Sequence, residues 1–314
     1  MGPSKAQPHV ILHVWPLPGG EIPCIEPSCL AAILHLQLAV PHHYAIEYSL
    51  PELSPDGQMP FLQHKGHQTL STLSGVTRYL STKHPSQTLH DIDLTPLEQA
   101  QSTAYKSYII SKLGDLVNYI LFGNTSYFWG YTSPHLSSHL PVPTRYYVPA
   151  RIRNLYQPRL ESIGLWDAGD DDGMPKKKSK GLGGKTDDIE EGRSKIKQRF
   201  GTEKILEMSR EVLDLLTRLL ADKPFIFAQG LTSLDILLAA HILSIHHTPI
   251  PRTHIKELLQ KDYSALIKHA ARVLELIVGH PDSTEGTETR SRAIPRVQRS
   301  TREFQITALL PAWA

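Results

Sequence analysis

The sequence predicts an α+β fold: a βαβ–ββα half over about residues 9–86, then an all-helical half over about residues 95–280. Three observations carry that prediction. Short β-branched and aromatic runs, closed by Pro or Gly, fill the chain up to Ser71. From Thr95 onward apolar residues recur at helical spacing instead. Between them His84 to Leu94 is polar and reads as a linker.

The elements follow in order. His9 to Trp15 is a strand, ended by Pro16, Pro18, Gly19 and Gly20. Glu26-Pro27-Ser28 opens a helix, with proline in the first turn where its missing N–H costs nothing. Cys29 to Val40 continues it, with Leu30, Ile33, Leu34 and Leu38 on an apolar face, and Pro41 stops it. Tyr44 to Leu50 is a second strand. A strand–helix–strand unit implies a crossover and hence parallel strands. Ser54-Pro55-Asp56-Gly57 is a turn, Phe61 to His64 a short strand and Gln68 to Ser71 another. Leu73 to His84 is a helix with Val76, Tyr79 and Leu80 facing inward.

In the second half Thr95-Pro96-Leu97-Glu98 is a capping box that opens a helix to about Phe122. Arg151 to Ile163 and Gly201 to Ala221 are helical. Thr232-Ser233-Leu234-Asp235 is a second capping box, opening an apolar helix to about His246. Thr253 to Val278 holds one or two more helices. A mobile insertion is expected at about 167–197, where acidic, basic and glycine-rich runs follow one another. Residues 281–314 read as a disordered basic tail.

Composition narrows the function. A chain of 314 residues, 40% hydrophobic and 20% charged, suits one or two domains with a real core. A formal net charge of +2 gives no argument for nucleic acid. The two cysteines, Cys24 and Cys29, are spaced as neither a CxxC redox pair nor half of a usual zinc site. The histidine pairs His42-His43 and His246-His247 are adjacent, so their side chains diverge, and no metal site is expected. Neither a secretory signal nor a run of the roughly 20 apolar residues needed to span a bilayer is expected.

The order βαβ then ββα, with Pro60 entering the third strand, is similar to the thioredoxin-like arrangement. That resemblance implies a cis bond at Met59–Pro60. A thioredoxin-like half followed by a helical half resembles the glutathione transferases, whose core second-domain helix opens with a box like Thr232 to Asp235. Four stretches resemble the metaxin family in particular: Ile25 to Ile33, Leu53 through Leu62, Leu140 to Pro143 with Val148 to Arg153, and Thr232 to Asp235. The third is similar to the larger, fungal-type subunit. The resemblance implies a non-enzymatic adaptor on the cytosolic face of the mitochondrial outer membrane. Its implied partners are the β-barrel core subunit and the smaller metaxin-like subunit of the sorting and assembly machinery, and β-barrel precursors. It implies no cofactor. Larger subunits of that type often carry a hydrophobic C-terminal anchor. Here Phe304 to Ala314 is too short to span and contains Pro311, so peripheral attachment or a truncated end is expected.

The rival functions are a glutathione-dependent enzyme and a cytosolic transferase-like interaction module. For the enzyme, the transferase resemblance implies an acidic–serine pair opening the last helix of the thioredoxin-like half. Counting back from Tyr79-Leu80, that pair falls on Thr72, which has no charge, and Leu73, which has no polar group. Near the first helix only Ser28 and Cys29 are candidate nucleophiles. The blander reading is a helix-capping Ser28 and a buried Cys29. No catalytic residue is assigned. The candidate partner surface is Tyr127, Trp129 and Tyr131, joined downstream by Tyr146, Arg151 and Arg153. Aromatic residues and arginine are favoured interface anchors, although helical core and a solvated helix start are the alternatives.

Overall fold

In the computed structural model, residues 10–41, 43–65, 68–83, 89–168, 186–227, 230–251 and 253–279 are described. Four strands and two helices make the first half: β1 (Val10–Val14), α1 (Pro27–Ala39), β2 (Tyr44–Tyr48), β3 (Phe61–His64), β4 (Gln68–Ser71) and α2 (Thr72–Lys83). The sheet order is β2-β1-β3-β4. β1 runs parallel to β2 and antiparallel to β3, and β3 antiparallel to β4. Register follows the apolar residues: Leu12 lies opposite Ile46 on one side and Leu62 on the other, and all three are fully buried. The Met59–Pro60 bond is cis, as the resemblance implied, and so is Val142–Pro143, which the sequence reading did not foresee.

The reading of one apolar face on α1 is too narrow. Its residues from Cys29 to Gln37 are all buried, because the helix is enclosed by α2 and by two helices of the second half. A helix that is apolar all round is one buried all round. Ser28 does not cap it. Proline at the first helical position places Glu26 in the cap, where its carboxylate accepts N–H bonds from Ser28 (3.1 Å) and Cys29 (2.7 Å).

The second half is helical: α3 (Pro96–Tyr108), α4 (Val148–Ile163), α5 (Thr186–Leu220), α6 (Ser233–His246), α7 (His254–Asp262) and α8 (Ser264–Val278). α3 runs on through two π-helical stretches, Ile109–Leu113 and Tyr119–Gly123, with the α-helical turn Gly114–Asn118 between them. Its capping box forms as read: the Glu98 carboxylate accepts from Thr95 N–H at 2.9 Å, and Thr95 Oγ1 accepts from Glu98 N–H at 3.3 Å. α5 begins at Thr186, earlier than its apolar pattern suggested, and so overlaps the expected insertion. Residues 169–185 and the expected tail lie outside the described residues. α6 is buried from Leu234 to Ile245 and packs on α1 and α8. These contacts seat the sheet half on the helical half.

Candidate functional site

The two halves meet at a cleft. The start of α2, the Met59–Pro60 turn and Ser28 line it from the first half; Lys106, Ile110, Ser233 and Leu237 line it from the second. Thr72 opens α2 with φ of +69°, an uncommon conformation for a β-branched residue, and gives its N–H to Pro60 O at 2.9 Å. Its hydroxyl lies 2.9 Å from Ser74 Oγ and accepts from Gly75 N–H at 3.3 Å. Leu73 adds an apolar wall. Cys29 is fully buried, and burial pushes its thiol well above the usual range, with the Cys24 thiol adding to the rise. A thiol held protonated is no nucleophile.

A polar bridge ties the floor of the cleft. Asp91, in the linker, accepts the Ser233 N–H at 3.0 Å and the Ser233 hydroxyl. Lys106 Nζ donates to Ser233 Oγ at 2.6 Å and lies 3.6 Å from Asp91 Oδ1. Beside this bridge His35, on α1, is 6% exposed. Burial pushes its pKa down to about 4; Lys106 adds to that, and Asp91 works against it. His35 is therefore a neutral imidazole at neutral pH.

The proposed surface residues divide into two groups. Tyr131 is 9% exposed and donates its hydroxyl to Pro18 O at 2.5 Å, across the two halves. Tyr127 is half-buried against the Tyr119 ring. Arg153 is turned inward. Trp129 at 45% and Tyr146 at 77% are exposed, as is the neighbouring Tyr147. Arg151 is exposed and lies 4.0 Å from Glu52 of the first half. Among the described residues, no three His, Cys, Asp or Glu side chains group in a way that could hold a metal ion.

Residues 29–153 match the family model described as outer mitochondrial membrane transport complex protein. Residues 209–273 match the C-terminal domain of glutathione S-transferase. The chain is 24% identical to metaxin-3 of Xenopus laevis over 131 residues, 42% of this chain and 41% of that protein. It is 21% identical to metaxin-1 of Macaca fascicularis over 233 residues, 74% of this chain and 64% of that protein. It is 25% identical to a metaxin-1 homologue of Caenorhabditis briggsae over 246 residues, 78% and 67% of the two chains.

The chain is similar to metaxins over as much as 78% of its length, and residues 29–153 match an outer mitochondrial membrane transport complex family.

Its fold is glutathione-transferase-like, a mixed four-stranded sheet half joined to a helical half that matches the transferase C-terminal domain. A glutathione S-transferase of Ceriporiopsis subvermispora is similar with a TM-score of 0.49 at 16% identity, covering 87% of this chain and 99% of that one. The matched stretches span 41% of the metaxin-3 and 64% of the metaxin-1 named first above. No helix among its described residues is long and apolar enough to cross a membrane.

In this chain Arg153 is a structural clamp. Its guanidinium donates to Phe122 O (2.9 Å), Gly123 O (3.0 Å), Thr125 Oγ1 (2.8 Å) and Asp167 Oδ1 (2.7 Å). It lies 4.2 Å from the Trp166 ring centroid. The two carbonyls it serves end the second π-helical stretch, where a helix has acceptors to spare. Arg153→Lys keeps the charge and loses the fork, so thermal unfolding should show a loss of about 2 kcal/mol. A variant with unchanged stability would remove Arg153 from this role.

Sequence reasoning missed His35 and the Asp91–Ser233–Lys106 bridge. His35 sits among apolar residues on α1 with no motif around it, and Asp91 lies in a linker far from Ser233 along the chain. The one available signal was the second capping box, which put Ser233 at a helix start.

Proposed function

We propose that this chain is a non-enzymatic subunit of the mitochondrial sorting and assembly machinery, of the larger, fungal type. It sits on the cytosolic face of the outer membrane and aids the insertion and release of β-barrel precursors. The observation that carries this reading is the match of residues 29–153 to an outer mitochondrial membrane transport complex family, together with similarity to metaxin-1 and metaxin-3. The cleft supports it. A transferase resemblance calls for an acidic–serine pair to hold the glutamyl end of its cosubstrate, and here Thr72 brings no charge and Leu73 no polar group, so that end loses bonds. Its partners are the β-barrel core subunit and the smaller metaxin-like subunit. Trp129, Tyr146 and Arg151 are the exposed members of the partner surface, with apolar rings and a cation presented to solvent.

The experiment is a gentle-detergent pull-down of tagged protein from isolated mitochondria, probed for the β-barrel core subunit. Co-isolation is expected. The double variant Trp129→Ala, Tyr146→Ala should keep its thermal stability and lose most of the recovered partner. Recovery in the cytosol without that partner would overturn the reading. Retention on glutathione resin with turnover of a model electrophile would favour an enzyme instead.

A further inference from the structure

The cleft at the junction of the halves continues past His35. Two adjoining cavities, of about 370 and about 390 Å³, share His35, Thr77 and Ser233 in their walls. Each is within the range of small-molecule sites. Beyond His35 an apolar strip of Ala39, Leu80, Leu89 and Ile92 lines the cavity, with Arg78, Ser81 and Asp91 also in its wall. On the near side stand Lys106 and the Ser28 hydroxyl. At the waist His35 is 6% exposed and makes no hydrogen bond, ion pair or ring contact with any described residue. A neutral imidazole carries one donor and one acceptor, and His35 lines both cavities, where a ligand can supply partners for them.

We propose that this cleft binds a long-chain carboxylate. Its head accepts hydrogen bonds from Lys106 Nζ and from the His35 ring N–H, and its chain lies along Ala39, Leu80, Leu89 and Ile92. Charge favours an anion. Lys106 and Arg78 reach the cleft against Asp91 alone among the described carboxylates that line it. Asp91 is already committed, accepting both the N–H and the hydroxyl of Ser233. Lys106 gives one donor to Ser233 and is about a third exposed, so further N–H donors face the open space. The apolar wall supplies what a glutathione-sized polar peptide would not use. The carboxylate head is placed where Lys106 and His35 stand. The site is independent of the assembly role proposed above.

The test uses the full chain and cis-parinaric acid, a fluorescent eighteen-carbon carboxylate, followed by competition. Saturable one-site binding is expected, displaced by oleate at least tenfold better than by oleyl alcohol. Lys106→Met should weaken binding about tenfold. Ala39→Phe, which fills the apolar end and leaves the Lys106–Ser233–Asp91 bridge intact, should abolish it, with thermal unfolding unchanged. Absence of saturable binding would overturn the proposal, as would wild-type affinity in Ala39→Phe. Equal displacement by the acid and the alcohol would overturn the carboxylate head.

Discussion

Asp235→Ala is expected to lower the stability of this protein by about 3–5 kcal/mol, the range for breaking a buried polar network from one side. Asp235 is fully buried at the start of α6. Its Oδ2 accepts from the Thr232 N–H at 2.9 Å and the Thr232 hydroxyl at 2.6 Å. Its Oδ1 accepts from the Ile226 N–H at 2.9 Å and faces His269 Nε2 at 3.0 Å. One carboxylate thus closes the capping box, pins the loop before the helix and meets α8. Removing it strands several buried donors at once, and nothing in the dry interior replaces it. Because α6 packs on both α1 and α8, the loss reaches the junction of the halves. Denaturant unfolding followed by circular dichroism checks this. Asp235→Asn, which keeps one acceptor oxygen, should recover part of the loss. A change within about 1 kcal/mol for Asp235→Ala would show that the network contributes little beyond an ordinary surface cap.

The second large effect is a loss of stability in acid. Burial lowers the pKa of both His35 and His241 to about 4. In the unfolded chain each titrates near 6.5. Between those values the unfolded state binds more protons than the folded one, so stability rises with pH across that window and falls as pH drops. The stability these two groups contribute is full above about pH 6.5 and is lost on the way down to about pH 4. At its limit the gap is worth on the order of 3 kcal/mol per histidine. His246 and His247 are also lowered, first by burial, and act with the same sign. Glu26, raised by burial, acts with the opposite sign around its own range. His241 sits inside α6 with Nδ1 2.8 Å from Leu237 O, so only its protonation forces a charge into the core. Urea unfolding at intervals from pH 7.5 to 4.5 should show the decline. His241→Leu should flatten it by roughly half. A slope left unchanged by that variant would mean that the acid sensitivity arises elsewhere.

Much of the fold was legible because it rests on local signals. The sheet half follows from alternation and Pro/Gly punctuation, and both capping boxes hold the side chain-to-backbone contacts their spacing calls for. The cis bond at Met59–Pro60 came from resemblance alone. The site was legible only in part. Trp129, Tyr146 and Arg151 face solvent, while Tyr131 and Arg153, from the same short stretches, face inward. An aromatic residue or an arginine looks the same in either role, since its composition does not say which neighbour will cover it. The cap of α1 fell to Glu26, two positions before Ser28, because proline takes the first helical position.

The sequence alone determined the order and kind of the elements of the sheet half, the two capped helix starts and the absence of an acidic–serine pair at Thr72-Leu73, since each depends on residues a few positions apart. Tertiary structure decided what the cleft contains. It brought Asp91, Lys106 and Ser233 together from three distant segments, and it enclosed α1 so that His35 became a neutral group beside a cation. Those properties depend on burial and on distances between segments, which exist only once the two halves have packed.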